Sequence, residues 1–144
     1  MFGKRKQITD GGEVAELAGT LSSVAFFDGF SDAELVRVAQ LAVEVEAEKG
    51  AVIIDQGRVG QEVFVILEGE AGVYVAGEHV ATLGPGSMVG EMALVQHRPR
   101  NATVVAATPM KLISFDMSSF RTLLSEMPEV HNRVYDVLES RLER

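Results

Sequence analysis

The sequence predicts a mainly β protein with flanking helices: an antiparallel β jelly-roll (a double-stranded β-helix) with N-terminal helices and a C-terminal helical lid. Two observations carry this. Between about residues 41 and 115, short apolar segments alternate with turn signals, with glycines at 50, 57, 60, 69, 77, 84 and 86. Many short strands separated by frequent turns build an antiparallel sandwich or barrel. On either side of this region the apolar spacing changes to that of helices.

The elements follow in order. Val14, Leu17, Ala18 and Leu21 mark a short amphipathic helix over residues 13–22. Phe26-Phe27-Asp28-Gly29-Phe30 reads as an aromatic-rich turn. Ser31 and Glu34 form a capping-box signature for a helix running to about residue 40 or 42, with Leu35, Val38 and Ala39 inward. Residues 41–48 then alternate apolar and acidic, which is strand spacing. Lys49-Gly50 turns the chain into a short buried strand, Val52-Ile53-Ile54, and Gly57 and Gly60 bracket a loop. Residues 62–67 and 73–75 pair across a turn at Glu68-Gly69-Glu70. Gly77-Glu78 turns into a strand over 79–83, which Gly84-Pro85-Gly86 breaks. Residues 102–107 and 111–115 are two strands hinged near Pro109. Asp116 caps a helix over 118–126. Pro128 suits the first turn of a last helix, where no N–H is needed. Val130, Val134, Val137, Leu138 and Leu142 form its apolar stripe, with Arg133 and Arg141 on other faces. The jelly-roll thus spans about 41–115 and the C-terminal helices about 117–143, after an N-terminal tail and helix in 1–24.

Composition narrows the function. The chain has 144 residues, one domain's worth, and 47% of them are apolar. There is no cysteine, which excludes a disulfide framework and a thiolate zinc site. No apolar run approaches bilayer length and no signal-peptide core is present, so a cytoplasmic location without membrane insertion is expected. The net charge of −8 argues against nucleic-acid binding, though not against one small anion held by local geometry. The basic start, through Lys4-Arg5-Lys6, reads as a frayed, solvated tail. His79, His97 and His131 have no metal-ligand spacing, and no serine-histidine-carboxylate set is evident, so neither catalysis nor a cofactor is expected.

The chemistry concentrates in residues 89–104. A short helix beginning after Gly90 would present free N–H groups at its start, an arrangement that attracts phosphate. Arg100 adds a planar guanidinium able to grip phosphate oxygens in parallel. Pro99 fixes its approach, and Arg98 reads as a loop charge. Glu91 would repel phosphate, and makes sense if the ligand also offers a hydroxyl. A phosphate beside a hydroxyl on a compact ligand points to a nucleotide.

The run Gly90-Glu91-Met92-Ala93-Leu94, followed by Pro99-Arg100-Asn101-Ala102-Thr103-Val104, closely resembles the phosphate-binding cassette of cyclic-nucleotide-binding domains. That family's pattern is F-G-E-(aliphatic)-A-L, a spacer, then P-R-x-A, and Val89 stands where Phe is usual. The resemblance extends over roughly 25–144 and is to a stand-alone module of the type found in catabolite activators, regulated channels and kinase regulatory domains. It implies that Gly90, Met92 and Ala93 bring main-chain amides to a cyclic phosphate. It also implies that Glu91 accepts the ribose 2′-hydroxyl and Arg100 pairs with the exocyclic oxygens. Asn101 departs from the Ala, Ser or Thr often found there and offers both a donor and an acceptor to the purine. Ala102 is mostly architectural. Arg141, then Leu138 and Tyr135, are the candidates to cap the base from the last helix. The implied ligand is cAMP in preference to cGMP.

The implied function is a non-catalytic sensor whose C-terminal helices rearrange on binding and signal to an effector protein in trans. Homodimerisation through the last helix is a further expectation. Two alternatives are a cupin-like metal-dependent jelly-roll enzyme and a degenerate module acting only as a dimerisation scaffold.

Overall fold

The structure, a computed structural model, describes residues 4–55, 61–91 and 102–142, with side chains to residue 140. The loop expected between Gly57 and Gly60 lies outside the described residues. Strands β1 (Arg5–Gln7), β2 (Val43–Ala47), β3 (Val52–Ile54), β4 (Glu62–Glu68), β5 (Ala71–Val75), β6 (Glu78–Leu83), β7 (Met88–Val89), β8 (Thr103–Ala106) and β9 (Met110–Asp116) form two sheets. One sheet runs β1-β2-β9-β4-β7 and the other β3-β8-β5-β6. Without β1, the two orders are those of an eight-stranded jelly-roll, and every recorded pairing is antiparallel.

Helices α1 (Gly11–Leu21), α2 (Asp32–Leu41), α3 (Met117–Ser125) and α4 (Pro128–Leu142) flank the sandwich. Their starts follow local chemistry. Asp10 accepts hydrogen bonds from the N–H groups of Gly12 and Glu13 at 2.8 and 3.1 Å, so α1 begins two residues before the apolar spacing does. Ser31 and Glu34 complete the capping box reciprocally, at 3.1 and 2.8 Å. Asp116 accepts from the Ser119 N–H at 3.0 Å to cap α3, and Pro128 opens α4.

The β1-containing sheet is buried on both faces, which explains the unbroken apolar run Val63-Phe64-Val65-Ile66 in β4. Val63 and Val65 face the helices, together with Ile113 and Phe115 of β9. Phe64 and Ile66 face the second sheet, together with Val45 and Leu112. On the helical side Phe27, Phe30, Phe115 and Phe120 form an aromatic cluster with neighbouring ring centroids 5.1–6.3 Å apart. Strand β6, at the edge of the other sheet, is exposed along nearly its whole length.

Three local expectations need correction. Arg5–Gln7 is an edge strand paired with β2 and not a solvated tail. Arg5 reaches Glu62 with two hydrogen bonds, and Lys6 meets Glu13 at 3.1 Å. The backbone pairing, which needs no apolar side chain, orders this stretch. In the expected buried strand, Ile53 and Ile54 are buried but Val52 is exposed. Within the α4 stripe, Val130, Val134 and Leu138 are buried, whereas Val137 is 49% exposed because it lies on the neighbouring face.

Candidate functional site

Strand β7 carries the expected phosphate-binding segment. Val89 and Met88 pair with Phe64 and Val65 of β4. The loop leading in is clamped to the same strand: the Gly86 N–H donates to the Ile66 carbonyl at 2.8 Å, and the Ile66 N–H to the Ser87 carbonyl at 2.9 Å. Gly86 has φ +87°, a conformation that lets this tight loop close. Val89 is buried between the sheets, and Gly90 follows it at φ +89°. That left-handed residue turns the chain off the sheet ahead of Glu91.

Glu91 is half-buried and lines a cavity of about 500 Å³. Gly86, Ser87 and Met88 continue its wall on the sandwich side. The opposite wall is α4, through Arg133, Val134, Val137 and Leu138. Val24, Ala25, Phe26 and Asp28 close the cavity from the segment before α2. That segment is a 3-10 turn (Ala25–Phe27) followed by a β-turn in which the Phe30 N–H donates to the Phe27 carbonyl at 3.1 Å. Asp28 at φ −56°, ψ 131° and Gly29 at φ +85° give that turn type II geometry. The cavity is within the size range of small-molecule sites and carries both charge signs, from Asp28, Glu91 and Arg133.

Of the residues selected from sequence, the structure brings Glu91 and Leu138 to this cavity, with Gly90 adjacent to Glu91. Tyr135 is not in the lining; its ring lies 4.4 Å from that of His131, against the helical core. Ala102 is half-buried immediately before β8. Met92, Ala93, Arg100 and Asn101 lie outside the described residues, as does the side chain of Arg141. Among the wall residues that the sequence did not single out, Arg133 and Val137 lie together on α4. Their spacing of four placed them on one face of α4, but the buried stripe beside it drew the assignment. Among the described residues no group of three or more His, Asp or Glu side chains could hold a metal ion. None of the described helices is long and apolar enough to cross a membrane.

Fold and site together define a ligand-binding jelly-roll with a helical wall, and the family model for the cyclic nucleotide-binding domain matches residues 44–127. The chain belongs to that family. It is 37% identical over 110 residues to a cyclic nucleotide-gated potassium channel of Mesorhizobium japonicum, covering 76% of this chain and 30% of the channel. A cyclic nucleotide-gated potassium channel of Rhizobium etli is 36% identical over 110 residues, covering 76% of this chain and 31% of that protein. The matched region therefore spans less than a third of either channel. Among solved structures, the regulatory domain of Toxoplasma gondii PKA with cAMP superposes with a TM-score of 0.78 at 26% identity, over 92% of this chain and 50% of that one.

Proposed function

We propose that this domain is a non-catalytic regulatory sensor for a cyclic nucleotide, cAMP in preference to cGMP. The observation that carries the reading is the left-handed Gly90, which leaves β7 and delivers Glu91 to a nucleotide-sized cavity faced by α4. Glu91 serves as acceptor for the ribose 2′-hydroxyl. The amides following Gly90, through Met92 and Ala93, receive the cyclic phosphate, and Arg100 neutralises it. Asn101 and Ala102 border the base, and α4 covers it through Leu138, with Arg141 as the further capping candidate. The bound cAMP of the Toxoplasma structure supports the choice of ligand.

Binding acts by differential affinity: a nucleotide that touches both the cassette and α4 favours the arrangement in which the two are close. The rearranged helix signals to an effector protein in trans, with self-association through α4 as a second output, in the cytoplasm.

Calorimetric titration with cAMP, cGMP and 2′-deoxy-cAMP tests the reading. cAMP should saturate one site, with cGMP weaker. Arg100→Ala should cost on the order of 2–5 kcal/mol, as for other truncated buried charge pairs. Glu91→Ala should weaken cAMP and erase its advantage over the 2′-deoxy analogue. Affinity unchanged in both variants would reject the site.

A further inference from the structure

The type II turn at Phe27–Phe30 and helix α4 meet at one point that neither capping nor core packing explains. A Cβ placed on Gly29 would stand 2.5 Å from Nη1, 2.7 Å from Cζ and 2.7 Å from Nη2 of Arg133. All three distances are below any real contact, so the guanidinium lies over the bare α-carbon of this glycine. Gly29 is already required by its φ of +85°, and the missing side chain is used a second time to receive Arg133. Among the described residues Arg133 makes no ion pair or hydrogen bond. Its guanidinium lies instead against the backbone of Gly29.

We infer that Arg133 is a positioning residue that seats α4 on the Gly29 turn and thereby sets the width of the cavity. The seat joins two of the cavity's three walls: Asp28 borders it on the turn, and Val134, Val137 and Leu138 follow it along α4. The third wall carries Glu91. A ligand touching Glu91 and α4 together needs those walls at a fixed separation, so this inference rests on the function proposed above. A planar guanidinium fits the groove left by glycine, whereas the compact ammonium of lysine on its flexible stem does not.

The absence of cysteine allows two spin labels to be placed uniquely, through Glu139→Cys on α4 and Glu78→Cys on β6, both at exposed positions. Without nucleotide, the parent protein should give one narrow distance distribution. Arg133→Ala, at an exposed position that should leave folding intact, should broaden and shift it. Arg133→Lys should behave like Arg133→Ala, and Gly29→Ala should do the same by filling the seat. If unseating leaves about one molecule in ten competent, Arg133→Ala should also weaken cAMP binding about tenfold. Distances in Arg133→Ala that match the parent would overturn the inference, as would lysine preserving the parent distribution. The label distances decide the seat without any ligand, so a failure of the parent protein to bind cAMP would count against the proposed function alone.

Discussion

The guanidinium of Arg5 meets the carboxylate of Glu62 through two near-parallel hydrogen bonds of 3.1 and 3.0 Å, from one edge of a five-stranded sheet across to β4. Glu62 also accepts a hydrogen bond from the hydroxyl of Ser114, the one buried polar side chain among the described residues. Arg5 and Ser114 differ in exposure, and that difference sets what their loss costs.

Arg5→Ala should destabilise the fold by no more than about 1 kcal/mol, because the ion pair is more than a third exposed on the arginine side. Glu62→Ala should cost more, about 1–3 kcal/mol, since it strips the acceptor from a buried hydroxyl. Adding Ser114→Ala to Glu62→Ala should recover part of that loss. Urea denaturation of the three variants checks the order.

Phe27 is 1% exposed and edge-packed against Phe26, Phe30 and Phe120. Phe27→Ala should lower stability by about 3–5 kcal/mol, with a loss of thermal cooperativity visible by calorimetry. The same substitution at Val80, 57% exposed on β6, should change stability by less than about 0.5 kcal/mol.

Gly90 at φ +89° tolerates no side chain without strain. Gly90→Ala should cost about 1–3 kcal/mol if the turn is kept. The more informative readout is cAMP titration: a turn that relaxes would withdraw Glu91 from the cavity and weaken binding beyond what the stability loss explains.

Lys6 is held above its ordinary pKa of 10.5, first by its hydrogen bond to Glu13 and then by the charges of Glu13, Glu44 and Asp10. A cation favoured in the folded state contributes fully below its unfolded pKa, and the contribution fades as pH rises through the folded one. Stability should therefore begin to fall above pH 10.5 by a component that Lys6→Met abolishes, measured by urea midpoints across the alkaline range.

Local chemistry made much of the fold legible. Ser31 with Glu34, Asp116 and Pro128 mark helix starts, because capping depends on residues adjacent in sequence. The turn glycines at 50, 69, 77 and 86 all occupy left-handed backbone, which is why their spacing revealed a sheet sandwich. Strand β1 was hidden because Arg5, Lys6 and Gln7 are exposed and join β2 through a backbone ladder that needs no apolar side chain. The candidate site was legible at Gly90 and Glu91, where motif and backbone conformation coincide. Its far wall was not. Gly29 and Arg133 meet only after the chain has travelled through both sheets, and an exposed arginine on a helix looks in sequence like any solvated charge.

Adjacent residues of β4 anchor opposite interiors: Val63 and Val65 look toward the helices, Phe64 and Ile66 into the sandwich. Strand β7, which ends one residue before Gly90, is bonded to that same strand. The anchorage of the Gly90 turn therefore forms part of the partition between the two halves of the molecule. Rigidity imposed there should spread to both sides at once, and slowed amide exchange along β4 and β9 is where that spread would register.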